Sequence, residues 1–213
     1  MSTKRVIVLD YGAGNLRSVA RAVEHAGYTP DVASDVRALD DADAVVMPGV
    51  GAAADTMRYL TDGGFVEPLR EYIQAERPFL GVCMGMQALL TTSKEGGEHA
   101  CLDIVPGTVR RVERSGGQKV PHMGWNEVTQ VREHPIFRDI PDGSHFYFVH
   151  GYYPDPEDES LVIGRTTYGD TFASVIARDG LVGTQFHPEK SGRVGLQFYK
   201  NFLTEYCGKG RAA

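Results

Sequence analysis

Cysteine is scarce: the 213 residues hold three, Cys83, Cys101 and Cys207. An odd number without Cys-x-x-Cys spacing argues against a disulfide framework or a zinc knuckle, and for a reducing compartment, read here as the cytoplasm. Long apolar runs are also missing. None approaches the ~20 residues of a membrane span. The opening Met1-Ser2-Thr3-Lys4-Arg5 leads into a strand-like run rather than a secretory h-region with its cleavage site. Positive charge is short as well, with 22 Lys and Arg against 28 Asp and Glu, a net charge of −6. Nucleic acid is therefore not an expected partner, because its recognition needs a basic footprint. His, Cys, Asp and Glu nowhere fall at metal-ligand spacing, and Gly12-x-Gly14 lacks the third glycine of a dinucleotide fingerprint. No metal and no cofactor is expected. Repeats, linkers and low-complexity tracts are absent too. What remains is an ordinary globular composition, 42% hydrophobic and 23% charged, at a length that suits one domain, residues 1–207, with 208–213 as a flexible tail.

The most informative stretch is Pro78-Phe79-Leu80-Gly81-Val82-Cys83-Met84-Gly85-Met86-Gln87. Phe79 to Val82 reads as a buried strand, and Met84 onward as the start of a helix running to about residue 92. Cys83 then sits on the sharp turn between them, flanked by Gly81 and Gly85. This is the cysteine counterpart of the Gly-x-Ser-x-Gly nucleophile elbow. A thiol at a helix N-terminus lies near partial positive charge, which favours the anion. The N–H of Met84 is then free to meet an oxyanion. A cysteine is also a common small core residue, and this stretch alone does not separate the two readings.

Upstream, Arg5 to Asp10 is apolar on consecutive positions, as in a strand covered on both faces. Leu16, Val19, Ala20, Val23 and Ala26 recur at helical spacing, and strands follow near Pro30–Ala33 and Ala42–Met47. This opens an α/β fold with a mostly parallel central sheet and flanking helices, of the flavodoxin-like kind. Pro48-Gly49-Val50-Gly51 comes directly after the third strand, where open α/β sheets bind ligands. Gly49, Val50 and Gly51 are candidates for a second oxyanion donor, or simply a tight turn. Beyond the elbow the chain becomes β-rich, with short strand-like runs separated by Gly, Pro, Asn and Asp. They are expected to extend the sheet rather than form a second domain. The chain closes with a helix from about Gly192 to Tyr206.

Among seven histidines, His187 is the best-placed base. In Phe186-His187-Pro188-Glu189-Lys190, residues 187 and 189 point the same way on an extended backbone. Glu189 can then fix the ring while the other nitrogen faces a thiol. A turn with a surface pair between Glu189 and Lys190 is the plainer alternative. His25, His99 and His134 sit among polar residues and are expected to be solvated. His122 and His150 read as hydrogen-bonded structural histidines.

Taken together, Gly81-Val82-Cys83-Met84-Gly85-Met86-Gln87, His187-Pro188-Glu189 and Pro48-Gly49-Val50-Gly51 resemble the class I, triad-type glutamine amidotransferases. Within that class, Pro121-His122-Met123-Gly124-Trp125-Asn126 and Tyr147-Phe148-Val149-His150 are similar to the glutaminase subunits of imidazole glycerol phosphate synthase. The resemblance implies hydrolysis of L-glutamine to glutamate and ammonia by Cys83, His187 and Glu189. It implies an oxyanion hole from Met84 and the loop Gly49, Val50 and Gly51, and substrate contacts from Gln87 and Glu95. A (β/α)8-barrel cyclase would be the heterodimer partner, met by Asn15, Trp125, Tyr147 and Lys190 and supplied with ammonia for histidine biosynthesis. It also implies a free subunit held nearly inactive by its oxyanion loop until the partner shifts it. Two alternatives remain at this point: a glutaminase serving another class I amidotransferase, and a non-catalytic regulatory subunit of the same fold.

Overall fold

Val6 to Leu9 is apolar at every position because the strand is covered on both sides. Val6 and Val8 pack into one core, and Ile7 and Leu9 into another. Ala44 and Val46 divide from Val45 and Met47 in the same way, as do Leu80 and Val82 from Phe79. Alternation across a sheet with two covered faces produces this pattern.

The computed structural model describes residues 4–113 and 117–207; the expected tail, 208–213, lies outside them. The chain begins β1 (Arg5–Leu9), α1 (Leu16–His25), β2 (Thr29–Ala33), β3 (Ala44–Met47), α2 (Ala53–Asp62) and α3 (Val66–Gln74). The centre follows with β4 (Phe79–Val82), α4 (Met84–Gln87), β5 (Leu90–Ser93), β6 (His99–Ala100) and β7 (Val105–Arg111). The second half holds β8 (His122–Gln130), β9 (Ser144–His150), β10 (Tyr152–Pro156), β11 (Val162–Tyr168), β12 (Asp170–Arg178) and β13 (Leu181–Thr184), before α5 (Gly192–Tyr206).

Nine strands form the large sheet in the order β2-β1-β3-β4-β13-β12-β11-β8-β9. Pairing is parallel from β2 to β13 and antiparallel from there to β9. Five strands of the β-rich second half, β8, β9, β11, β12 and β13, therefore continue the central sheet as expected, whereas β7 and β10 do not. A smaller sheet, β10-β7-β5-β6, packs beside it. Helices α1 and α5 cover one face through Val19, Val23, Phe198, Tyr199 and Phe202. Leu60, Leu69, Tyr72 and Ile73 of α2 and α3 cover the other. Each fully buried Phe of α5 contributes roughly 1.5–3 kcal/mol of burial.

Two expectations need correction. The helix after Cys83 is a single turn, not a helix to residue 92, because Leu90–Ser93 is drawn into strand pairing with β7. Thr91 and Thr92, both β-branched, suit that state. His134 is not solvated: it bonds the Ile136 N–H and the Tyr206 hydroxyl, and burial pushes its imidazole down, with Glu205 opposing. Among the described residues, no helix is long and apolar enough to cross a membrane.

Candidate active site

Residues 83 and 187 meet because β4 and β13 are neighbours. Val82 pairs with Thr184 in register, and the Cys83 N–H donates to the Thr184 carbonyl at 2.7 Å. The chain leaving β13 therefore passes directly beside the turn that carries the thiol.

That turn is strained. Cys83 has φ 55° and ψ −108°, a conformation that costs a side-chain-bearing residue about 1–3 kcal/mol. Bare backbone holds it in place. A Cβ on Gly85 would stand 2.2 Å from the Met47 carbonyl oxygen, and one on Gly49 would stand 2.5 Å from the Gly85 nitrogen. Strand end, loop and elbow can approach this closely only without side chains. Gly85→Ala is thus expected to destabilise by at least about 1–3 kcal/mol, read as a lower denaturation midpoint. An unchanged midpoint would show that the elbow can relax around a methyl group. With α4 only one turn long, the helix dipole at the thiol shrinks to the few N–H groups of that turn.

His187 and Glu189 form a buried pair, with Nδ1 2.8 Å from Oε1 and side chains 2% and 1% exposed. This is not the surface pair between Glu189 and Lys190. The other ring nitrogen, Nε2, is buried and makes no hydrogen bond of standard geometry, and Cys83 lines the same cavity. Burial pulls the imidazole down, but Cys83 and then Glu189 outweigh it and push it up to about 10. The turn itself is pinned: His187 N–H donates to the Tyr147 carbonyl at 2.9 Å, and the Ser191 hydroxyl to the His187 carbonyl at 2.6 Å.

A cavity of about 230 Å³ opens over these groups, lined by Val50, Gly51, Cys83, Met84, Gln87, Glu95, Val149, His150, Gly151, Tyr152 and His187. It is smaller than the usual site for a drug-sized ligand and suits an amino acid. A wider cleft of about 760 Å³, between residues 117–123 and Tyr168, presents no paired acid and base. Gln87 donates through Nε2 to the Tyr152 carbonyl and to Gln185, while its Oε1 is buried without a partner and can accept from a ligand. Glu95 is half-buried, and its Oε2 takes the Ala53 N–H at the start of α2 at 2.8 Å. The Gly49–Gly51 loop rests against Met84 through Gly49, and Gly51 adopts φ +93°. The Tyr11 hydroxyl anchors this loop through the Pro48 carbonyl at 2.9 Å.

Tyr11 and Gln185 went unnoticed in the sequence. Gln185 left no local signal, since the chain bends at residues 185–186 and its partners Gln87 and Cys83 lie about a hundred residues away in sequence. His122 and His150 are buried and bonded to each other, Nδ1 to Nε2, at 2.9 Å.

The remaining candidates lie at the surface. Trp125 is 56% exposed and packs edge-on against Tyr147, its cross-strand partner, with ring centroids 6.1 Å apart. The Lys190 ammonium lies 6.0 Å from the Tyr147 ring. Met123, 63% exposed, continues the patch, and its cross-strand partner Val149 lines the cavity. Asn15 is half-buried at the start of α1, a helix that packs against the Pro188–Lys190 turn.

The chain is similar to known proteins along nearly its whole length. The family model described as glutamine amidotransferase class-I matches residues 7–206. The imidazole glycerol phosphate synthase subunit HisH of Chloroflexus aurantiacus is 51% identical over 201 residues, 93% of this chain and 94% of that protein. The same subunit of Syntrophotalea carbinolica is 48% identical, covering 92% of this chain and 98% of its own, and that of Geobacter sulfurreducens 48%, covering 93% and 97%. Among solved structures, a glutamine amidotransferase superposes with TM-score 0.74 at 18% identity, over 95% of this chain and 98% of that one. PurLQS from Thermotoga maritima gives 0.72 at 16%, over 95% and 99%. These last two likenesses concern the fold alone.

Proposed function

The chain belongs to the class-I glutamine amidotransferase family, and on that premise we propose that it hydrolyses L-glutamine to glutamate and ammonia through a cysteine thioester. The observation that carries this reading is the buried His187–Glu189 pair beside Cys83, at the floor of an amino-acid-sized cavity. The Cys83 thiolate attacks the side-chain carboxamide carbon, and its oxygen takes up the negative charge. The Met84 N–H and one N–H of the Gly49, Val50 and Gly51 loop meet that oxygen. Collapse breaks the C–N bond, and the proton on His187 Nε2 goes to the departing ammonia. The neutral imidazole then takes a proton from water, which attacks the thioester; glutamate leaves and the thiolate returns. Glu189 holds the ring throughout. Gln87 Oε1 and the Glu95 carboxylate face the amino-acid end of the substrate.

The curated relatives are subunits of imidazole glycerol phosphate synthase. This chain is read as the glutaminase subunit of the same enzyme: a single unit over residues 1–207, working in the cytoplasm in histidine biosynthesis. Ammonia passes to a (β/α)8-barrel cyclase seated on the patch of Trp125, Tyr147, Lys190 and Asn15. An exposed Trp beside a Tyr has the chemistry of an interface anchor.

A glutaminase assay with and without such a cyclase tests both halves. The expected result is turnover that rises sharply with the cyclase and its nucleotide ligand. Trp125→Ala should cut that stimulation by roughly tenfold or more, the effect of losing an anchor worth ~2 kcal/mol. Because the side chain is largely exposed, the melting temperature should hardly move. Stimulation unchanged in Trp125→Ala would remove this face from the interface.

A further inference from the structure

The Cys83 sulfur has a polar neighbour that the reaction above leaves without a task. Gln185 is fully buried, and its Nε2 lies 3.5 Å from Cys83 Sγ. The direction of that amide follows from groups whose roles cannot be exchanged. The Tyr152 main-chain carbonyl can only accept, so the Gln87 atom 2.8 Å from it must be the nitrogen. The Gln185 atom 2.9 Å from that nitrogen must then be Oε1, which leaves the Gln185 amide N–H toward the sulfur. Turning the amide over would set two NH2 groups against each other and an oxygen against a sulfur anion.

The head of the line is secured independently. The Tyr152 carbonyl also accepts from His150 Nδ1 at 2.9 Å, so His150 Nε2 is the acceptor for His122 Nδ1. Burial pushes His122 down to about 4 and His150 to about 3, so both rings are neutral at ordinary pH and keep this polarity.

We propose that Gln185 is a further catalytic residue: its amide N–H donates to the Cys83 thiolate, stabilising the anion and fixing the direction of the sulfur toward the cavity. The proposal rests on the reading of Cys83 as the nucleophile. It also answers a need, because the one-turn α4 supplies little dipole. The other groups facing the sulfur are of different kinds. His187 comes from the turn after β13, with Glu189 behind it, and Tyr11 from the segment after β1. Glu95 and His150 line the same cavity. Gln185 carries no titratable group and donates directly to the sulfur, so its contribution does not change with pH.

The test follows alkylation of Cys83 by iodoacetamide as a function of pH, in the whole chain, by mass spectrometry of the Cys83 peptide. Gln185→Met removes the donor at similar volume. Gln185→Glu replaces it with a carboxylate. The midpoint of the rate–pH curve is expected to rise by about one pH unit in Gln185→Met, the loss of one hydrogen bond to a charged group. It should rise further in Gln185→Glu, and alkylation at neutral pH should fall by about threefold to tenfold. A merely structural role would lower the denaturation midpoint and leave the pH midpoint where it was; that outcome overturns the assignment. If circular dichroism shows Gln185→Met unfolded, Gln185→Glu alone decides by the same criterion. Failure of Cys83 to react in the unmodified protein overturns the nucleophile reading and this proposal together, whereas an unchanged midpoint overturns the role of Gln185 alone.

Discussion

Cys83→Ala should lower glutamine turnover by at least about 10,000-fold, measured as ammonia release with the cyclase partner present. The expected size reflects what remains without the nucleophile: an oxyanion loop and a binding cavity, which in triad enzymes retain only a small part of the rate. No other thiol can substitute. Cys101 and Cys207 are buried away from the cavity, and burial pushes both up to about 11. The fold should tolerate the change, because alanine keeps a Cβ at the strained turn and loses one sulfur from a site 6% exposed. Residual turnover within tenfold of the unmodified protein, with the melting temperature preserved, would rule out thioester chemistry at this position.

Glu189→Gln is the second large effect. It keeps the shape of the side chain and removes its charge, and the expected loss is about 100- to 10,000-fold in kcat. His187 is held up against its own burial by Cys83 and Glu189 together. With the carboxylate gone, burial gains weight and the ring gives up its proton at lower pH, so it is less able to protonate departing ammonia. Stability carries the same signature. An imidazole held near 10 in the folded state, against about 6.5 unfolded, stabilises the fold fully below pH ~6.5. That contribution is lost as pH rises toward 10. In Glu189→Gln the loss should be smaller and complete at lower pH, which denaturation midpoints across the alkaline range would reveal. Identical alkaline profiles in the two proteins would mean that Glu189 does not support the ring.

The sequence was most readable where local chemistry and tertiary structure agree. The β1 run, the Leu16–His25 helix and the thiol turn each carry a pattern dictated by their own backbone, and each is found in place. His187 and Glu189 do pair, but across a 3-10 turn over Pro188–Lys190 rather than along the extended backbone expected. Legibility failed where a distant partner decided. Met84–Leu90 has a helix-like composition, but β7 captures Leu90–Ser93 as a parallel neighbour, and nothing within the stretch announces it. His134 looks polar by its neighbours and is covered only because α5 brings Tyr206 over it. Gln185 was missed for another reason. A buried glutamine has no motif of its own, and its meaning lies in which donor and acceptor face it across the sheet.

Gly49 rides on the 84–85 peptide with no side chain between them. The oxyanion loop and the thiol turn are therefore geared together, and neither can be redesigned as an independent module. A mutant library that varies residues 48–51 while holding 83–86 constant would return mostly inactive clones. Libraries that randomise both stretches jointly are where altered amide specificity should first be recovered.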